Sequence, residues 1–466
     1  MNAENPRRPG IIYDRYLPCL AQFPGFAYNP AGLAAAASIY RHTDFVISCH
    51  AGMANSRGSE PMQKSIRKTA LSVAMALAAS AAMAQPPQFQ VPQLPEGEGK
   101  QLVELACYSC HSSFNIVTSA GYDTPEEWKH VFSGMVNLSD AQANTIATYL
   151  ADNFPADESR RPTLVPGDSQ VTFREWIVPT LGQRSRDPVE APDGSIWWTG
   201  MWASLVGRLD PQTGDMQEYR LPLAARPHSI VPDAEGNIWY TGNSNATIGK
   251  LDPATGLITQ YETEARDPHS AAFHPNGNLY FTAQGAGMLG RLDPETGELT
   301  EVPSEPRPYG IQVAANGTVW VAFNGANKIG ALDPETMDIR YYDVPNEASR
   351  VRRLGLDSRG MVWFVNSTQG KIGRLNPANG NIQQWDSPSG PTSHPYALAV
   401  IDDKVWYNES GMRPDALVRF DPEDESFQSW AIPSGVGIVR NMWVTKDGNL
   451  LIHQSSSNRI GLVEID

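Results

Sequence analysis

The chain has 466 residues, 19% charged and 41% hydrophobic, and its 39 Gly and 37 Pro punctuate it too heavily for a helical bundle. Thirty-six Lys and Arg against 51 Asp and Glu give a net charge of −15, whose field repels phosphate backbones and argues against nucleic acid as a partner. No apolar run reaches the roughly 18 residues of a membrane span, and four cysteines are too few for a disulfide-dense scaffold.

Residues 1–61 carry no sustained helical or strand period. From Met62 the chain reads MQKSIRKTALSVAMALAASAAMA, in which Lys64, Arg67 and Lys68 precede an apolar stretch and the triplet Ala82-Met83-Ala84. This is the three-part layout of a secretory signal peptide over 62–84, cleaved after Ala84. Such peptides begin at the initiator methionine, so residues 1–61 read as an upstream extension from a start codon assigned too early. The alternative is a genuine extension with an internal apolar helix. Cleavage leaves 382 residues with 28 Lys and Arg against 47 Asp and Glu, a net charge of −19. The mature chain is expected in the periplasm, as a monomer without a membrane span. Cys19 and Cys49 leave with the cleaved segment, and Cys107 and Cys110 remain.

Past a linker over 85–96, residues 107–111 read Cys-Tyr-Ser-Cys-His, the attachment pattern of a c-type haem. Two thiols three positions apart on a helical turn can each form a thioether with a vinyl group, and His111 is then placed to ligate the iron. A thioredoxin-like pair would leave His111 unused and expects a β-α-β context missing here, and a disulfide closing so short a loop gains little. The surrounding segment, 97–154, reads as a small all-α cytochrome c-like domain. One helix holds Gly99 to Ala106, a second starts at Pro125, and a third starts at Ser139, where Ser-Asp-Ala-Gln forms a capping box. The third puts Ala143, Ile146, Ala147, Leu150 and Ala151 on one face, and SDAQANTIATYLADNF resembles the closing helix of class I cytochromes c. So short a domain needs the porphyrin for much of its apolar centre. Met135, between the second and third helices, is the candidate sixth ligand; His130 is the other, and core packing is the alternative for Met135.

Residues 155–170 are polar and Pro-rich and read as a second linker. Beyond them a phrase recurs as VGRLDPQTG, IGKLDPATG, LGRLDPETG and IGALDPETM, then in degraded form as IGRLNPANG, LVRFDPEDE and IGLVEID. The markers Asp210, Asp252, Asp293, Asp333, Asn376, Asp421 and Glu464 are spaced by 42, 41, 40, 43, 45 and 43 residues. Seven copies at this period predict a mainly β chain, a seven-bladed β-propeller over 171–466. The last copy stops before its outermost strand, and Phe173 to Pro179 matches Met216 to Pro222, so the N-terminal strand closes blade seven.

The innermost strand of each blade lines the channel. Counting back eleven residues from Trp197, Trp239, Tyr280, Trp320, Trp363 and Leu451, and ten from Trp406, gives Arg186, His228, His269, Tyr309, Arg352, Arg440 and Tyr396. All are cationic or aromatic polar residues in an acidic chain, which suits an anionic or polar small-molecule ligand. The alternative is a hydrated channel in which these side chains bond backbone carbonyls, Asp187 or Asp267.

The segments Arg226-Pro227-His228-Ser229 and Asp267-Pro268-His269-Ser270, with the repeated I-G-[RK]-L phrase, resemble the streptogramin lyase family over 171–466. That resemblance implies a seven-bladed propeller that opens a cyclic depsipeptide by C–O elimination with a histidine base, acidic groups and Mg2+. Carried over, His228 takes the substrate-positioning place, His269 that of the base and Asp267 that of the preceding carboxylate. Gln284 stands where a further acid is expected, and Gln cannot move protons. Three readings follow: haem-linked electron transfer coupled to a ligand at the propeller mouth, with a periplasmic redox partner; lyase chemistry with His269 as base; and a non-catalytic binding or sensor propeller.

Overall fold

The structure, a computed structural model, describes residues 92–109, 111–119, 121–436 and 438–466. The extension over 1–61, the signal peptide over 62–84, residues 85–91 of the first linker, and Cys110 lie outside the described residues.

The strands group into seven four-stranded antiparallel sheets, the blades of a propeller. Blade two is typical, with Pro227–Pro232 innermost, then Ile238–Gly242, Thr247–Leu251 and Ile258–Glu262. Blade seven combines Trp443–Val444, Leu450–Gln454 and Arg459–Ile465 with Val171–Ile177 from the other end of the chain, in register from Val171 opposite Ile465 to Ile177 opposite Arg459. The N-terminal strand therefore closes the ring, as the truncated seventh repeat predicts.

Two features of the repeat have steric causes. A Cβ on Gly207 would lie 2.0 Å from the Trp198 ring, one on Gly249 2.0 Å from Tyr240, and one on Gly373 2.2 Å from Phe364. The glycine of I-G-[RK]-L is the space into which the neighbouring aromatic packs. In the turn that follows, Asp210 Oδ1 accepts the N–H of Gln212 at 2.8 Å and Gly214 takes φ 80°, a left-handed conformation; in blade four Met337 takes it instead, at φ 63°. Aromatics of the second and fourth strands then stack, Trp197 on Tyr219 at 5.3 Å, Trp239 on Tyr261 at 5.7 Å and Trp406 on Trp430 at 5.6 Å.

Ahead of the propeller come helices α1 (Lys100–Cys107), α2 (Ser113–Val117), α3 (Pro125–Phe132) and α4 (Asp140–Asn153). Thr124 with Glu127 and Ser139 with Gln142 form the capping boxes of α3 and α4. Val103, Ile116, Trp128, Val131, Phe132, Ile146, Ala147 and Leu150 make one apolar cluster, and Val436 of the propeller completes it. Residues 155–170 are tied down along the edge of blade six: Val165 N–H donates to Ser429 Oγ (2.8 Å), Ser429 N–H to Val165 O (2.9 Å) and Gln428 Nε2 to Ser169 O (2.7 Å). The segment that the composition reads as a linker thus also covers part of a strand edge.

In the first six blades the register between the two innermost strands shifts just after the first residues of the inner strand, a bulge that leaves residues such as His269 and Ser270 outside the ladder. Buried threonines from the second strand take over that hydrogen bonding. Thr282 Oγ1 accepts from Ser270 N–H (3.1 Å) and donates to Tyr309 O of the next blade (2.9 Å), while Thr241 Oγ1 accepts from Ser229 N–H (2.9 Å) and donates to His269 O (3.0 Å). Each stitches its own bulge to the next blade. Thr282→Val keeps the shape and strands a buried N–H and C=O, so unfolding in urea is expected to show a loss of about 1–3 kcal/mol; unchanged stability would mean that the stitch carries no weight.

Candidate functional site

The bulged residues converge on the channel. Arg186, His228, His269, Tyr309 and Tyr396 are buried there, and Arg352 and Arg440 are half-buried. The His228 and His269 rings lie 3.5 Å apart between centroids, and Tyr309 follows at 4.3 Å from His269. The Tyr309 and Tyr396 hydroxyls are hydrogen-bonded to each other. Arg440 Nη1 donates to the Tyr396 oxygen at 3.1 Å, and the Arg352 guanidinium sits 4.4 Å over the Tyr396 ring. All seven counted positions thus belong to one cluster. Arg440 is set differently from the others: blade seven's innermost strand is only Trp443–Val444, and Arg440 precedes it.

Three members escape the counting. Asp187 and Arg353 follow Arg186 and Arg352 directly, so strand alternation sends them away from the channel; the bulge turns both inward. Arg353 donates from Nε to Arg440 O (2.9 Å) and from Nη1 to Ser270 Oγ (2.9 Å), and its Nη2 lies 3.7 Å from Asp187 Oδ2. Asp187 takes φ 42° and has His228 Nδ1 3.8 Å from its carboxylate. His453 stands where other blades have the stitching threonine, with Nδ1 3.1 Å from Asp187 N and Nε2 3.2 Å from Arg440 N. The one signal for it is its alignment, two residues after Leu451, with Thr199, Thr241 and Thr282.

Burial and surrounding cations set the charge states. Burial, then Arg186 and Arg353 among others, hold the His228 imidazole well below its usual range, and burial with Arg353 and Arg186 does the same to His269. Both rings are neutral at neutral pH. Ser270 Oγ lies 3.0 Å from His269 Nδ1 and already accepts from Arg353, so its own proton is available to Nδ1; that arrangement leaves the His269 proton on Nε2. Burial raises the Asp187 carboxyl although Arg353, Arg186 and Arg440 pull it down. Burial alone would raise the Tyr396 phenol, but Arg440, Arg352 and Arg186, with the bond from Tyr309, bring it to about 7.

Asp267 accepts backbone N–H groups of both Gly285 and Ala286, so both carboxylate oxygens hold the loop that contains Gln284. Among the described residues, no group of three or more His, Cys, Asp or Glu side chains is placed to hold a metal ion.

A cavity of about 470 Å³ joins the helices to the channel mouth. Cys107, His111, Phe132, Met135 and Val136 line one side, and Arg184, Trp202 and Arg440 the other. A second cavity, of about 260 Å³, again has Cys107, His111 and Met135 in its wall and reaches Ile116, Trp128, Val131 and Leu150. His130 lines neither: it is exposed, with Nε2 3.5 Å from Glu175 Oε2, while its carbonyl accepts from Arg459 Nη2 at 2.6 Å. An apolar slot with a histidine and a thioether sulfur in its wall and two arginines at its rim fits a haem by the chemistry of its donors.

The fold and this site define a seven-bladed propeller with a buried ring of cationic and aromatic side chains at the channel mouth. The chain belongs to the virginiamycin B lyase family, whose profile matches residues 172–292 and 296–466. A streptogramin B lyase structure is 24% identical, with a TM-score of 0.58 over 64% of this chain and 98% of that one. A catalytically inactive histidine-to-alanine variant of virginiamycin B lyase from Staphylococcus aureus, solved with quinupristin, is 22% identical, with a TM-score of 0.56 over 63% and 99%. Hydrazine synthase of Kuenenia stuttgartiensis shares 13% identity, with a TM-score of 0.52 over 61% and 96%. At these identities the likeness is one of fold. The curated proteins include no match to the chain.

Burial holds His453 well below its usual range, so it binds a proton in the unfolded chain at a pH where the folded chain binds none. Its contribution to stability is full above about pH 6.5 and is lost on acidification. Asp415, raised to about 7 by burial, acts in the opposite sense, so the comparison with a variant isolates the histidine. His453→Gln is expected to flatten the acid-side loss of stability by up to about 1.4 kcal/mol per pH unit in urea denaturation series. An unchanged slope would mean that His453 is protonated in the folded protein.

Proposed function

We propose that this is an exported c-type haem protein in which a cytochrome c-like segment over 97–154 exchanges electrons with a small polar or anionic molecule bound at the propeller mouth. The observation that carries this reading is the shared cavity: Cys107, His111 and Met135 face the same space as Arg184 and Arg440. Cys107 and Cys110 would hold the porphyrin, and His111 and Met135 would bind its iron. Met135 is preferred to His130 because the latter is turned toward Glu175. Bound there, the haem would supply one-electron chemistry. Phe132, Val136, Ile116 and Leu150 would keep water from it, and Arg184 and Arg440 would neutralise its carboxylates. Arg440 would also present the ligand side of the ring through Tyr396. The motif from Met62 to Ala84 supports maturation in the periplasm, where a soluble redox partner would meet a monomer of this chain.

A second reading is C–O elimination with His269 as base, favoured by family membership and by the contact of two neutral imidazoles. Asp267 is committed to its loop and Gln284 cannot move protons, which leaves His269 without an acidic partner from the expected positions.

Protein made in a host competent for cytochrome c maturation is expected to be red, with haem retained after denaturation. Met135→Ala is expected to lose the sulfur-to-iron charge-transfer band of the oxidised state, and His130→Ala to keep it. Colourless protein with both thiols titratable overturns the haem reading. Turnover of a streptogramin that disappears in His269→Ala would establish the lyase reading in its place.

A further inference from the structure

The arginines at the channel mouth are organised around a pair of phenols as well as around the histidines. Tyr309 and Tyr396 stand on inner strands of blades four and six, facing each other across the channel, with their hydroxyls hydrogen-bonded. Blade seven supplies Arg440, which donates to the Tyr396 oxygen at 3.1 Å, and blade five supplies Arg352, 4.4 Å over the Tyr396 ring. Arg353 lies 5.0 Å over the Tyr309 ring, and Arg186 and Arg184 of the blade-one segment act on Tyr396 through space. Asp187 faces Arg353 and His228 instead, and His228 and His269 are neutral. Guanidinium groups cannot be deprotonated, so this cluster needs negative charge that Asp187 alone does not supply.

Three of these cations have N–H groups without a protein acceptor, and one of them, Arg353 Nη2, faces Asp187 Oδ2 at 3.7 Å. Arg186, buried, has its Nε unpartnered and directs Nη1 only to the Met201 sulfur at 3.3 Å; Arg440 also has its Nε unpartnered. Buried, unmatched donors on neighbouring arginines are the features of a site for an acceptor with several oxygens.

We propose that the channel mouth binds a small oxyanion on Arg186 and Arg440, and that the Tyr309–Tyr396 pair takes up one proton as the anion enters. The exchange balances: one negative charge arrives on the anion, and one is removed when the shared phenol–phenolate becomes two phenols. The lowered ionisation of Tyr396, to about 7, agrees with a phenolate resident in the absence of the anion. His394, just ahead of the Tyr396 strand, is exposed, and partial desolvation with the charge of Arg352 lowers its imidazole, which makes it a poor competitor for the proton. This deepens the ligand half of the proposed function and does not depend on the haem.

The test is an ultraviolet difference titration of tyrosinate in the full mature protein, in both redox states where colour is present, with inorganic phosphate and acetate as probes. The wild type is expected to form one tyrosinate near neutral pH, some three pH units below an ordinary tyrosine. Tyr396→Phe is expected to abolish that step, and Tyr309→Phe to move it upward. Saturating phosphate or acetate is expected to erase it, with one proton taken up per anion in weakly buffered solution. Affinity should then fall about tenfold per pH unit above the transition, a dependence absent from Tyr396→Phe. Phosphate acting alone identifies an inorganic ligand, and acetate acting alone a carboxylate; either supports the exchange. No tyrosinate below about pH 9, or anion binding with the same pH dependence in wild type and Tyr396→Phe, overturns it. Thermal unfolding confirms that the Phe variants are folded, and a colourless preparation leaves this result intact while removing the haem reading.

Discussion

The structure depends on a local irregularity repeated in six of the seven blades: a bulge at the start of the inner strand, which in blades two and three is satisfied by a second-strand threonine. A regular strand would present one residue in two to the channel. The bulge presents two in succession, so Asp187 joins Arg186 and Arg353 joins Arg352 inside the ring. Unpaired backbone in so buried a place would cost about 1–3 kcal/mol per group, and the hydroxyls of Thr241 and Thr282 remove that cost while tying one blade to the next. Where blades seven and one meet, His453 lies within hydrogen-bond distance of both Asp187 N and Arg440 N, and its neutral ring accepts from one of them.

From that constraint comes the chemistry. Burial, with the arginines around them, depresses the histidines, and the same arginines lower the Tyr396 phenol against the effect of its burial. Two imidazoles in contact therefore serve as a neutral stack rather than as an obvious base pair. Arg440 links the interior to the exterior, since it donates to Tyr396 on one side and lines the cavity of Cys107, His111 and Met135 on the other. Helices and propeller meet at this residue, at the apolar contact of Val436 with the helical cluster, and at Arg459, which holds the end of α3 through His130 O and Ser133 Oγ. A haem in that cavity would lie against the charged ring without a separate binding partner.

Much of this is legible in the sequence. The spacing of Asp210, Asp252, Asp293 and their counterparts gives seven blades, the match of Phe173 to Pro179 with Met216 to Pro222 gives the closing strand, and counting from the aromatic positions reaches one residue of the cluster in each blade. What escaped has physical reasons. Period-two alternation hides Arg353 and Asp187, because a bulge leaves no mark in the hydrophobic pattern. His453 looks like strand filler until its place is seen to be that of a stitching threonine. Asp267 precedes a channel histidine in sequence yet spends both oxygens on Gly285 and Ala286. Composition gives residues 155–170 as a linker and carries no sign that Val165 pairs with Ser429 at the edge of blade six. Chain position puts Met135 ahead of His130, and in the structure Met135 lines the cavity while His130 faces Glu175.

The claim at the centre is that a haem shares its cavity with the channel cations, and potentiometry of Arg440→Gln beside wild type tests it most directly. Removing a positive charge next to the iron site stabilises the more positive oxidised state, so the account predicts a lower reduction potential in Arg440→Gln, while Arg340→Gln, on the outer strand of blade four, leaves the potential where it was. Equal potentials in Arg440→Gln and wild type, or the absence of a reversible couple, would contradict it.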